Sequence, residues 1–124
     1  MCQTPTARGW VPLDAENFDC VVAASARPVA VVFWGRDCWP CQVLAPTLEQ
    51  AVEAYGDRVT FAALDIALAP QVAARFEVRG IPHLLFFAHG DVCCHFMGEI
   101  PWVYLRSKLE RALLLQSQRV PIAA

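Results

Sequence analysis

Residues Val29–Pro46 read VAVVFWGRDCWPCQVLAP, an apolar run, a short polar break and then two cysteines three residues apart. The run from Pro28 to Trp34 shows no polar alternation, which suits a strand covered on both faces. Beyond it the period changes. Cys41, Leu44, Ala45, Leu48, Val52 and Tyr55 recur at helix spacing, and Gly56 follows as a C-terminal stop. The cysteine pair therefore falls where a strand gives way to a helix. A helix N-terminus presents unpaired N–H groups and a partial positive charge, which stabilise a thiolate and lower its pKa. Cys38, at the tip, is the candidate nucleophile, and Cys41, one turn deeper, is placed to close a disulfide with it. Pro40 suits the first helical turn and restricts the loop between the sulfurs. Pro46 lacks a backbone donor inside the helix and is expected to kink it.

The same patterns extend outward. PHLLFF from Pro82 to Phe87 and VTFAALDI from Val59 to Ile66 read as further core strands. DVCCHFM, Asp91 to Met97, follows a His89-Gly90 turn and forms a hairpin with the strand before it. Trp10 to Leu13 offers a short fifth strand. Helices are expected over Asp14–Ala23 with Asp14 as N-cap and from about Pro70 to Phe76. A last helix carries the stripe Trp102, Leu105, Leu109 and Leu113, with Pro101 in its first turn. Early strands separated by helices should be parallel, and the closing hairpin adds an antiparallel strand. The fold class is α/β, a mixed sheet of four to five strands with helices on both faces.

With 124 residues, 56% of them hydrophobic, the chain has the size and apolar content of one ordered domain. A net charge of −2 with mixed signs supplies no basic stripe for nucleic acid. Its apolar runs fall well short of the ~20 residues that span a bilayer, and the opening MCQTPTARGWVPLDAE holds no apolar run of signal-peptide length. A cytoplasmic protein without nucleic-acid or membrane partners is expected. Its six cysteines should then be thiols with one special pair rather than a disulfide framework.

That pair admits other uses. Zinc can take Cys-x-x-Cys, but it needs a second set of ligands, and Cys2, Cys20, Cys93 and Cys94 provide no second Cys-x-x-Cys. Simple packing is the blander role, and the strand-to-helix junction favours redox chemistry over it.

VAVVFWGRDCWPCQVLAP, then ALDI, then VRGIPHLLFFAHGD, then FMG before a final helix together resemble the thioredoxin family across about residues 10 to 115. Trp34, Cys38, Pro40, Cys41, Pro46, Pro82, Gly90 and Gly98 follow the family's order and spacing. The resemblance implies a thioredoxin fold in one domain, 1–124, frayed at both ends, and a Cys38-Cys41 dithiol that exchanges with protein disulfides without a cofactor. It implies a thioredoxin reductase or another dithiol donor as the recycling partner, and a monomer or weak dimer. Pro82 matches a proline in a cis peptide bond beside the disulfide, and Ile81 would offer its backbone to an extended substrate. Trp34 corresponds to a tryptophan packed under the active-site loop, and Gly98 to a glycine that leaves the groove open.

The departures are as specific. Val32 stands where the family usually buries an aspartate that assists proton transfer at the deeper cysteine, and Ala63 replaces the lysine that accompanies it. Losing both avoids stranding one buried charge. Asp37 replaces a tryptophan, and its carboxylate beside Cys38 should disfavour the thiolate. Trp39 replaces a glycine. His83 replaces a threonine, and either stands near the sulfurs as a charge or proton relay or is an ordinary strand residue. Cys93 and Cys94, adjacent on a strand, are expected on opposite faces, Cys20 beneath the first helix, and Cys2 exposed and free. Two other functions stay open: a thioredoxin-fold chaperone that holds clients with little turnover, and an iron-sulfur cluster bridged by cysteines of two chains.

Overall fold

The computed structural model describes residues 10–118, so the expectations for Cys2 and for frayed ends lie outside the described residues. β1 (Trp10–Leu13) leads through a turn to α1 (Phe18–Ala24), β2 (Val29–Trp34) and α2 (Trp39–Tyr55). β3 (Thr60–Asp65), α3 (Pro70–Arg75), the hairpin of β4 (His83–Ala88) and β5 (Asp91–Met97), and α4 (Trp102–Ser117) complete the chain order. The strands lie in the order β1-β3-β2-β4-β5, with β3 parallel to β1 and β2, and β4 antiparallel to both β2 and β5. This is the mixed sheet that the periodicity predicts, with the short strand at Trp10 realised at its edge.

β2 is central, and every residue from Val29 to Phe33 is buried because helices cover both faces. On one face Phe18, Val21 and Val22 of α1 and Val72 and Ala73 of α3 pack on Val31, Phe33, Leu85 and Phe87. On the other, Leu44, Leu48, Ala51 and Tyr55 of α2 meet Leu105, Leu109 and Ala112 of α4 over Ala30, Val32, Leu84 and Phe86. The Tyr55 hydroxyl donates to Glu110 at 2.6 Å and ties the far end of α2 to α4. His89 and Gly90, with φ of 53° and 82°, make the two-residue turn of the β4–β5 hairpin, both in the left-handed region that such turns require.

Four local expectations change. Asp14 does not cap α1: its Oδ1 accepts from the N–H groups of Glu16 and Asn17 at 2.8 Å each, forming a turn, and Asn17 takes the N-cap position. Pro101 is the residue before α4 rather than in its first turn. Cys20 lies on the exposed side of α1 and its sulfur is in a disulfide, so it neither packs beneath the helix nor stays reduced. Cys93 and Cys94 share a side. The ladder pairs Phe86 with Cys94 but Phe87 with Val92, and this bulge adds one residue that breaks the alternation. Both cysteines pack against the α2–α4 core with their sulfurs 3.8 Å apart.

Candidate active site

Gly35, Arg36 and Asp37 carry the chain from the end of β2 to α2. Asp37 holds φ = 57°, a left-handed conformation that aspartate tolerates better than most residues. Cys38 follows as the N-cap of α2, in extended backbone, with Trp39 as the first helical residue and Pro40 behind it, where a missing N–H costs nothing. Cys38 and Cys41 are joined by a disulfide, their Cα atoms 5.2 Å apart. The Cys38 sulfur also accepts the backbone N–H of Cys41 at 3.1 Å. A sulfur in the cap position thus receives a helix N–H that a serine or aspartate would otherwise take. Contrary to the picture of an open tip, Cys38 is 7% exposed while Cys41 is half-buried.

Across from the pair, the Ile81–Pro82 peptide bond is cis, as the sequence pattern implies. The Pro82 carbonyl accepts the Gly98 N–H at 2.7 Å, joining the two ends of the hairpin. Gly98 has φ = 100°, and a Cβ built there meets nothing within 4 Å, so the surface over it is open while its backbone suits glycine. Gly35 is constrained differently: a Cβ there would stand 2.8 Å from Cδ1 of Ile81. The redox loop and the residue before Pro82 are therefore in contact through that hydrogen. Trp39 is 71% exposed and Met97 58%, giving the site an apolar rim.

A pocket of about 360 Å³ reaches both sulfurs. Trp10, Val32, Trp34, Leu44, Leu48 and Ala63 give it apolar walls, Pro82 adjoins it, and Asp37, Gln42 and Glu49 supply polar groups. Val32 and Ala63 are register partners on β2 and β3, so the two departures from the family pattern fall side by side and add an apolar patch to the pocket wall. Sequence reading pairs these positions only through the resemblance. Trp10, Leu44, Leu48 and Glu49 escaped it as site residues, since only the packing of α2 over the sheet brings them there.

His83 does not line this pocket. Its ring lies 5.6 Å from that of His95, centroid to centroid, on the face of β4 that carries Leu85 and packs toward α1 and α3. It is 7% exposed with no hydrogen-bond partner for either ring nitrogen, and burial, then nearby His95, hold its pKa below the ordinary imidazole value. Trp34, Cys38, Cys41 and Pro82 are thus brought together, Asp37 joins them at the rim, and His83 is turned toward β5.

Among the described residues no helix is long and apolar enough to cross a membrane. Residues 9–111 match the Thioredoxin family model. Thioredoxin 1 of Chlorobaculum tepidum is 31% identical over 99 residues, covering 80% of this chain and 98% of its own length. The thioredoxin of Rhodospirillum rubrum is 39% identical over 85 residues, 68% of this chain and 82% of that one. A chloroplastic M-type thioredoxin of Zea mays is 30% identical over 112 residues, 90% of this chain and 67% of its own. A disulfide closed across the head of a helix and a match over most of the length lead to one assignment: the chain belongs to the thioredoxin family and is a thiol-disulfide oxidoreductase.

Proposed function

We propose that the protein, as a single thioredoxin-like domain, reduces disulfides in proteins with Cys38 as nucleophile and Cys41 as resolving thiol. The hydrogen bond from the Cys41 N–H to the Cys38 sulfur is the observation that carries this order. A thiolate at the cap position keeps that donor and the helix dipole, whereas Cys41 lies within the first turn and has neither. The Cys38 thiolate attacks one substrate sulfur, and the other leaves as a thiolate that takes up a proton. The Cys41 thiolate then attacks the Cys38 sulfur of the mixed disulfide, expelling the second substrate thiol. Two electrons pass to the substrate, and the Cys38–Cys41 disulfide returns to the dithiol at the expense of a thioredoxin reductase or another dithiol donor.

Val32 and Ala63 supply no acid or base for the proton on Cys41. The pocket beside the sulfur is far larger than the ~10–15 Å³ that one water needs, and Glu49 and Gln42 on its wall give water polar partners. Solvent takes the proton directly. The substrate lies extended across Pro82: Gly98 leaves room, Trp39 offers apolar surface, and the Ile81 backbone pairs with no group among the described residues. Bacterial relatives support a cytoplasmic site of action, although the family members matched here also include chloroplastic forms. Replacing Cys38 by serine should lower turnover of a protein disulfide by about three orders of magnitude or more, and Cys41→Ser should accumulate mixed disulfides. Turnover that survives Cys38→Ser would overturn the assignment of roles. A client-holding reading is favoured by the exposed apolar rim at Trp39 and Met97, and it requires equal client binding by the Cys38→Ser/Cys41→Ser protein.

A further inference from the structure

Beside the groove, on the face of the β4–β5 hairpin opposite the one under α2 and α4, three side chains that the disulfide chemistry does not use lie near one another. His83 and Met97 are direct partners across the two strands and so share a face. His95, two residues before Met97 on β5, shares that face too, and its ring sits 5.6 Å from the ring of His83. His95 and Met97 are exposed, while His83 is 93% covered and keeps two ring nitrogens without a partner. A buried polar atom left unpaired is costly, and a missing ion is one of the standard reasons that such an atom persists.

We propose that His83, His95 and Met97 form a binding site for one soft monovalent metal ion, copper(I). Two imidazoles that ligate one ion through ring nitrogens at ~2.0 Å bring their centroids roughly 5 to 6 Å apart, the separation seen here. Ligand chemistry selects the ion. Imidazole serves several metals, but a thioether is a soft donor that favours copper(I), which is satisfied by two or three ligands. Among the described residues no three histidine, cysteine, aspartate or glutamate side chains gather where a cation could sit, so harder ions find no carboxylate set and zinc no set of four. Met97 has the unbranched, rotatable chain needed to swing its sulfur from Gly80, where it now packs, onto an ion held by the two rings. The ion enters from solvent past His95, and His83 closes its inner side.

The test separates this site from the thiols. The Cys93→Ser/Cys94→Ser protein, with Cys38–Cys41 kept oxidised, is titrated under argon with copper(I) supplied as its acetonitrile complex, against a chromogenic copper(I) chelator. One equivalent should bind, and nitrogen-15 signals of the His83 and His95 rings should shift together while those of His89 stay. His95→Ala and Met97→Leu should each weaken binding at least about tenfold, the loss that even supporting partners of a metal ligand cause. An unchanged amide spectrum establishes that each variant is folded. Affinity retained in a His83→Thr/His95→Ala protein, or ring shifts at His89 alone, would overturn the proposal. So would failure of the parent protein to compete with the chelator at any copper level.

Discussion

Two cysteine pairs in this molecule have opposite chemistry. Cys38 and Cys41 stand at the head of a 17-residue helix, where one sulfur accepts a backbone N–H and both residues line one pocket. Cys93 and Cys94 lie closer in sequence and hold their sulfurs 3.8 Å apart, yet they sit on a β-bulge against the α2–α4 core. Burial, and after it the neighbouring Cys93, push the Cys94 thiol up to about 12. Its thiol donates to the carbonyl of Lys108 at 4.0 Å, a contact that favours the protonated form. Proximity of two sulfurs therefore does not make a redox pair; donors that accept negative charge do.

Alkylation of the reduced protein probes this contrast most strongly. A thiol with a pKa near 12 is almost wholly protonated at pH 8, and even after the higher nucleophilicity of its thiolate is allowed for, Cys94 should react more than about tenfold slower than an unperturbed thiol, with Cys38 reacting first. Peptide mass spectrometry over time reads the order, and equal rates at Cys38 and Cys94 would erase the distinction. Next in size is Val32→Asp, which places an unpaired carboxyl on the apolar floor of the pocket that Cys41 also lines. It should cost about 1–3 kcal/mol in urea unfolding at neutral pH, and adding Ala63→Lys across the register should recover part of that loss.

Cys94 also sets a pH dependence. Its folded pKa is raised from 9.0 to about 12, so above pH 9 the unfolded chain releases a proton that the folded chain retains. Stability from this group is complete below pH 9 and falls as pH rises toward 12. The slope is at most about 1.4 kcal/mol per pH unit, reduced by partial exposure of the sulfur. The difference between wild type and Cys94→Ala in denaturant midpoints across that window isolates it; parallel curves would place the thiol in water. The smallest effect concerns Asp37. Asn tolerates the same left-handed backbone and removes the charge, so Asp37→Asn should speed alkylation of Cys38 only a few-fold, consistent with an exposed carboxylate.

Much of this arrangement was legible in the chain. Continuous apolar runs located β2, β3 and β4, because strands covered on both faces leave a signal that surface strands do not. The hairpin followed from His89-Gly90, and the redox pair from its place between two periodicities. What escaped depended on partners distant in sequence. The bulge that turns Cys93 and Cys94 to one side exists only in the pairing of β4 with β5, so strict alternation misplaced them. Asp14 and Asn17 are both good N-caps by residue type, and the side-chain turn at Asp14 decided between them. His83 left two readings, a neighbour of the sulfurs or an ordinary strand residue; a strand sends alternate side chains to opposite faces, and its ring meets His95, as the second reading has it.

Gly35 and Ile81 give the protein something like a gear. One residue belongs to the loop that carries the redox cysteines and the other to the bend before β4 that the proposed function sets under a substrate, and a single hydrogen separates them. Bulk added at position 35 meets Cδ1, the flexible end of the Ile81 side chain, which has to turn aside or be shortened to admit it. Substrate fit and sulfur placement are consequently not two independent dials that substitution can turn one at a time. Trp39 and Met97, whose side chains face water, carry no such coupling, so the rim can be reshaped without moving the sulfurs.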